Sequence, residues 1–290
     1  MVKPQLLLAL GSPSDLGWLN DLTLDDRVEF SLSVASAHRT PETVDHHKYW
    51  KRWDAIVAGA GMTNALLSEY VKAASPEQLV FGVPISDKAT MGRSSVLSSQ
   101  ELPPGYVSAC VAMGKVDRAA SIAADLVCNV YDRIVIFDSG KELSERAAKM
   151  CALLGKFGVD HRVVSWPDKS LPDYNDGELP LVLFNEAVDI SFNKDKIESG
   201  PVIASSAYLS CETYSFVANR NPGVAFVGFE NPTNLALFGA KVVSRNNAQV
   251  GRNIVDYLEK GVKKYDEFKE VIPLTPESLD ALKAKYGVKK

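Results

Sequence analysis

The chain carries one strand-and-helix pattern, and carries it twice. In the first pass, Gln5–Leu10 (QLLLAL) is a continuous apolar run stopped by Gly11. Short apolar runs with a glycine exit are the mark of strands buried in a parallel sheet. GSPSD follows, then spaced leucines over 16–24, which read as loop and helix. Residues 28–36 (VEFSLSVAS) form the next predicted strand. Thr40-Pro41-Glu42 opens a helix, with Thr40 as N-cap and Pro41 in the first helical position. Residues 54–58 (DAIVA) run into the glycine-rich loop 59–64 (GAGMTN), and 65–74 is helical. Residues 79–84 (LVFGVP) and 107–112 (VSACVA) are the fourth and fifth strands, and 117–127 is an alanine-rich helix. Strands alternating with helices predict a parallel α/β sheet covered on both faces.

The second pass begins at 133–137 (RIVIF), which ends at Asp138-Ser139-Gly140. A helix over 143–157, strands over 159–165, 179–184, 201–205 and 223–229, and an apolar helix over 234–243 complete it. QLLLALGSPSD lies over RIVIFDSGKE, SVASAHRTP over RVVSWPDKS, and LPPGYVSACVA over RNPGVAFVGF. This is an internal duplication with a period of about 125 residues, far longer than a solenoid repeat. It divides the chain into 1–130, 131–262 and a charged tail, 263–290, whose Thr275-Pro276-Glu277 is a helix start. No Pro/Ser/Gly linker separates the halves, so they are expected to pack tightly.

Composition removes several classes of function. With 32 basic and 36 acidic residues, the formal net charge is -4, and no Lys/Arg run exceeds a pair. A phosphate backbone needs a basic stripe, so nucleic acid is not an expected partner. The four cysteines, Cys110, Cys128, Cys151 and Cys211, form no C-x-x-C pair, and only four histidines are present. Zinc spacing is absent, and the cysteines read as small buried hydrophobes in a reduced, cytoplasmic protein. The first apolar run is too short to span a membrane and lacks a signal-peptide cleavage pattern.

In an open parallel sheet, ligands bind at the carboxyl ends of the strands. Three loops of the first half lie there: 11–15, 36–41 and 59–64. GSPSD at a helix start offers free N–H groups, two hydroxyls and the positive end of a helix dipole, which together make a phosphate seat. A capped helix start alone would also explain Ser12, Ser14 and Asp15. SAHRT adds His38 and Arg39 in the same layer, an imidazole and a guanidinium beside a glycine loop. His46 and His47 fall in a polar helix and read as solvated, and His161 reads as structural. Trp18, Trp50 and Trp53 read as packing residues.

GSPSD, SAHRTP, AGAGMTNAL and GVPISD followed by LSSQELPPG, in this order, resemble the PurE family. These are the phosphoribosylaminoimidazole carboxylases and mutases of purine synthesis. The likeness covers residues 5 to about 127, and 222–243 resembles the family's last strand and helix. It implies two tandem flavodoxin-like, three-layer units with parallel sheets. It also implies a phosphorylated ribonucleotide and carbon dioxide as substrates, with no cofactor and no metal. On the matching motifs His38 would carry the proton. Ser12, Ser14 and Arg39 would hold the 5'-phosphate, Asp15 would accept from ribose hydroxyls, Ser36, Thr63 and Asn64 would line the base and carboxylate end, and Gly11, Thr40 and Gly61 would also contact the substrate.

In the family's mutase class the third loop usually carries a second histidine. Here it reads Gly61-Met62-Thr63-Asn64-Ala65-Leu66, which is similar to the class that uses carbon dioxide directly, although Met62 stands where that class usually has arginine. A mutase acting on the N5-carboxylated ribotide, a carboxylase of a related nucleotide and a non-catalytic nucleotide-binding protein remain alternatives. The alignment sets Pro167 and Asp168 over His38 and Arg39, Asp138 over the first glycine and 184–186 over the glycine-rich loop, so the second half is read as degenerate. Family members are typically octamers of single units, which implies a homotetramer here. The apolar helices 117–127 and 234–243 suit burial between units.

Overall fold

A computed structural model of the chain describes residues 2–50, 53–61, 64–86, 91–140, 142–166, 174–185, 201–207, 224–263, 281 and 284–285. The chain divides into two compact units, Met1–Val255 and Asp256–Lys290. Everything that follows concerns the first.

The strands are β1 (Gln5–Leu10), β2 (Glu29–Val34), β3 (Ala55–Ala60), β4 (Leu79–Pro84), β5 (Ala109–Cys110), β6 (Arg133–Asp138), β7 (Asp160–Ser165), β8 (Glu178–Phe184), β9 (Ile203–Ser206) and β10 (Ala225–Phe229). The helices are α1 (Pro41–Trp50), α2 (Ala65–Ala73), α3 (Arg93–Gln100), α4 (Val116–Cys128), α5 (Glu145–Phe157), α6 (Pro232–Ser244) and α7 (Ala248–Lys263), with a 3-10 helix at Pro13–Leu19. The sheet order is β2-β1-β3-β4-β5-β10-β9-β8-β6-β7. Read inward from either edge, each half has the flavodoxin-like order 2-1-3-4-5. Every recorded pairing is parallel except β5 with β10, which meet antiparallel at Cys110 and Phe226.

The duplication is therefore present, but its two predicted sheets are one ten-stranded sheet. The reason is edge chemistry. A parallel unit ending at β5 leaves a row of unpaired backbone groups, and β10 covers it. The central strands β3, β4 and β8 are buried at every position, as strands covered on both faces must be, whereas the edge strands β2 and β7 are mostly half-exposed.

Several elements differ from expectation. The first helix is a 3-10 turn that starts earlier, at Pro13, because Ser12 caps it and Pro13 takes its first turn. The fifth strand is two residues long. The helix α3 is unmarked in the sequence: RSSVLSSQ has no apolar stripe and no side-chain cap. His47 is not simply solvated, since its Nδ1 lies 2.6 Å from Ser33 Oγ on β2. Cys110 is buried, and desolvation pushes its thiol up to about 12, but Cys128 and Cys151 are only half-buried. Cys211 and the 275–277 helix start lie outside the described residues.

The two apolar helices are accounted for inside the chain. The helix α4 covers β1, β3 and β4 of its own half. The helix α6 is buried along its whole length and lies against α5, β8, β9, β10 and also β4, so it spans the seam. Gly239 permits that approach, because a Cβ there would sit 2.8 Å from a Leu181 methyl and 2.9 Å from an Ile134 methyl. Phe238 meets Phe81 of the other half edge-on, with ring centroids 5.7 Å apart. Burial between chains is thus not needed to explain either helix, and the assembly expectation loses that support.

Because Phe238 is packed across the seam, Phe238→Ala is expected to lower unfolding stability by about 3–5 kcal/mol. Urea titration followed by tryptophan fluorescence measures it. A loss below about 1 kcal/mol would mean that α6 does not hold the halves together.

Candidate active site

Four carboxyl-terminal strand ends of the first half open into one cleft of about 730 Å³. It lies at the point where the order reverses, between β1 and β3, the ligand position of this topology. The first loop brings Gly11, Ser12, Ser14 and Asp15, and the second brings Ser36, Ala37, His38 and Arg39. Ala60, Gly61, Ala65 and Leu66 form the third wall, and Ser86 follows β4.

The first loop is closed onto the third by Gly11 N–H donating to Gly59 O at 2.9 Å. A Cβ at Gly11 would lie 3.0 Å from Ala60 Cβ, so a larger residue there would push the two loops apart by a few tenths of an ångström. Ser12 Oγ accepts from Ser14 N–H and lies 2.9 Å from Ser14 Oγ, which aims two hydroxyls at one place. Asp15 is buried, and burial raises its carboxyl above the usual value, opposed by hydrogen bonds from Ser12 and Ser14. In the second loop, Ser36 Oγ accepts from the backbone N–H groups of His38 and Arg39 and holds the turn. The His38 and Arg39 side chains are exposed at the cleft. Among the described residues they make no hydrogen bond or ion pair.

Of the residues singled out in the sequence, Gly11, Ser12, Ser14, Asp15, Ser36, His38, Arg39 and Gly61 converge on the cleft. Thr63 lies outside the described residues. Thr40 does not line the cleft: its hydroxyl accepts from Ser36 N–H at 2.9 Å and donates to Ser36 O, and so serves the turn. Asn64 is fully buried and turned away. Its Oδ1 accepts from Leu67 N–H as the cap of α2, and its Nδ2 donates to Ala58 O and Ser99 Oγ. Asparagine before a helix suits a cap as well as a ligand, and burial decides for the cap. Ser86 stands in the motif GVPISD but was given no site role, although its place after the apolar run LVFGVP marks a strand end.

The register of the second half can be set against the first. Leu10 pairs with Val34, and Asp138 with Ser165. Leu10 also pairs with Gly59, and Asp138 with Leu183. Asp138 therefore stands over Leu10, and Ser139 over Gly11, correcting the alignment that set Asp138 on the glycine. Ser165 stands over Val34, two residues from the place the alignment gave it, and Pro167 and Asp168 lie outside the described residues. Trp166, Phe184 and Asn185 take the places of Ala35, Ala60 and Gly61. The Trp166 and Phe184 rings pack 5.9 Å apart. Asp138, also buried, accepts from Ser144 N–H at 2.8 Å and from Asn185 Nδ2, and Arg146 donates to Phe184 O and Ser205 Oγ. These strand ends are tied by their own side chains.

Among the described residues, no group of three His, Cys, Asp or Glu is placed to hold a metal ion, and no helix is long and apolar enough to cross a membrane. Because its folded pKa is raised, Asp15 favours the fold below its ordinary value of 3.8, and that contribution is lost as the pH rises through the raised value. Asp15→Asn is therefore expected to raise the melting temperature at pH 7, with the gap to wild type narrowing toward pH 4. An equal gap at both pH values in calorimetry would contradict the burial of that charge.

Residues 5–136 match the family model described as AIR carboxylase. The chain is 36% identical over 145 residues to the N5-carboxyaminoimidazole ribonucleotide mutase of Pyrococcus abyssi, covering 46% of this chain and 81% of that protein. It is 32% identical over 148 residues to the same-named protein of Methanocaldococcus jannaschii, covering 50% and 89%. It is 34% identical over 138 residues to the phosphoribosylaminoimidazole carboxylase of Saccharomyces cerevisiae, covering 46% of this chain and 24% of that protein. With its cleft built from the loops that carry the family's motifs, and with these relatives, the chain belongs to the AIR carboxylase family.

Proposed function

We propose that the first-half cleft binds 5-aminoimidazole ribonucleotide and carboxylates it at C4 with carbon dioxide. The observation that carries this reading is the convergence on one cleft of a two-hydroxyl loop with an imidazole and a guanidinium whose side chains, among the described residues, make no hydrogen bond or ion pair. Arg39, with the Ser12 and Ser14 hydroxyls, suits the 5'-phosphate, through charge-assisted hydrogen bonds that an exposed guanidinium is free to make. The Asp15 carboxylate accepts from ribose hydroxyls. Ser36 and Gly61 border the base, and Thr63 is assigned to that end by the motif alone.

The chemistry asks little more of the protein. Aminoimidazole is an enamine, so its C4 attacks the carbon of carbon dioxide, and a C–C bond forms as one C–O π pair moves to oxygen. The proton on C4 then leaves to His38, and the ring recovers its aromaticity. Orientation of the ribotide and exclusion of water supply the rest.

A second reading has its own support. The relatives covered over most of their length bear the mutase name, and a mutase would take the N5-carboxylated ribotide. The direct reaction is favoured here because the third loop, GAGMTNAL, holds no second histidine. The second half is proposed to carry no chemistry, with 1–130 the catalytic part, 131–262 its degenerate repeat and 263–290 a tail. Four chains would supply eight family-like units as a homotetramer, which light scattering tests; a monomer at micromolar concentration rules it out.

A spectroscopic assay with aminoimidazole ribotide and bicarbonate tests the reaction, with the N5-carboxylated ribotide run beside it. Turnover of the former is expected to be the faster, and a clear preference for the latter makes the protein a mutase. His38→Asn should keep ribotide affinity and abolish turnover; near wild-type turnover removes His38 from the mechanism. Arg39→Ala should weaken ribotide binding by about 1.5–3 kcal/mol, the worth of a charged hydrogen bond. Unchanged affinity in calorimetry means Arg39 does not hold the phosphate. One ribotide per chain is expected, and two would restore a site to the second half.

A further inference from the structure

The third loop of the cleft is held from behind by α3, none of whose residues lines the cleft. Ser95 Oγ donates to Ala60 O at 2.6 Å, and Ile85 N–H donates to the same carbonyl at 3.1 Å. Ser98 Oγ accepts from Asn64 N–H at 2.9 Å. Ser99 Oγ accepts from Asn64 Nδ2 at 3.2 Å, and that amide also holds Ala58 O. These bonds bracket Gly61, fixing the chain on both sides of the stretch that faces the ligand space. The opposite wall is tied to the same loop, because Gly11 N–H donates to Gly59 O at 2.9 Å.

The far end of α3 is held by the second half. Gln100 Oε1 accepts from Gly228 N–H at 3.0 Å. Gly228 is in the left-handed region, at φ 67, and a Cβ there would come within 2.8 Å of Gln100 O, so only glycine lets the two segments meet. The segment after α3 is gathered by Asn234, whose Oδ1 accepts from Gly105 N–H and whose Nδ2 donates to Leu102 O, Pro103 O and Tyr106 O.

We propose that α3 is the positioning element of the cleft: Ser95, Ser98 and Ser99 set the third loop, and the second half, through Gln100 and Asn234, sets α3. The second half thereby supports a cleft to which, among the described residues, it adds no lining side chain. The kinetic part of this inference rests on the carboxylase reading. The phosphate-facing groups stand on the first and second loops, so a shift of the third loop leaves ribotide affinity in place. What it disturbs is the wall at the reacting end, where small displacements cost rate.

Ser98→Ala, Ser98→Thr and Gln100→Leu in the full chain test it. Ser98 is half-buried, so both changes at that site fit. The Gln100 Nε2 has no hydrogen-bond partner, so leucine there forfeits a single accepted bond. Ser98→Ala and Gln100→Leu are expected to lower kcat about tenfold with KM for the ribotide within about twofold, a loss of orientation and not of binding. Amide hydrogen exchange over 59–64 should quicken in both, and Ser98→Thr should restore both measurements. Wild-type kcat and exchange in Gln100→Leu would overturn the support from the second half, and the same in Ser98→Ala would overturn the role of α3. A wild-type chain with no turnover defeats the carboxylase reading, and exchange over 59–64 then decides the positioning by itself.

Discussion

The ten strands are one sheet because β5 needs a partner. A unit of order 2-1-3-4-5 ends on an open edge, and here that edge is only two residues long, Ala109–Cys110. Its antiparallel pairing with β10 is recorded at one position. Backbone pairing of that extent is worth about 1 kcal/mol per bond net, too little to join two domains. The burial of α6 is the larger effect. Leu235, Leu237, Phe238, Val242 and Val243 are all but excluded from water, and each contributes about 1.5–3 kcal/mol. The helix belongs to the second half by sequence but reaches β4 of the first. The pairing of β5 with β10 thus fixes the register, and α6 supplies the adhesion.

Polar groups then make the junction specific. Asn234 sits on the first turn of α6 and satisfies three carbonyls and one N–H of the 102–106 segment. Arg245 at the other end donates to Asp54 and to Glu77 O. Apolar contact alone would allow sliding, but buried amides with named partners do not. The same accounting explains α3, whose composition opposes a helix and whose serines answer carbonyls and N–H groups of the loop beneath it.

What the sequence made legible is what depends on local order. The apolar runs that stop at Gly11, at 59–61 and at Asp138 are strand ends, and the first-half loops after them do meet. The duplication was legible for the same reason. The continuity of the sheet was not, since nothing in YVSACVA or GVAFVGF tells whether an edge is bare or paired. The helix α3 was hidden because its stability comes from partners more than thirty residues away, as in Ser95 with Ala60 and Ser98 with Asn64. Asn64 was misread because a cap and a ligand ask for the same side chain. The two-residue offset at Ser165 escaped notice because, with no hydrogen bonds to fix register, similar residues align equally well at neighbouring positions.

The two halves show what one backbone does with different side chains at the same register. Where the first half has Ala60 and Gly61, the strand end borders the open cleft. At the matching register the second has Phe184 and Asn185, with the Phe184 ring packed against Trp166 and the Asn185 amide donating to Asp138. Buried aromatic pairs stabilise a fold, while an open cleft does not. Asp138 completes the exchange: a carboxylate at a strand end, where Leu10 stands in the first half, receives N–H groups from its own chain that a phosphate would otherwise take. The first half keeps an open cleft at its strand ends, and the second contributes the buried helix α6, which packs against strands of both halves.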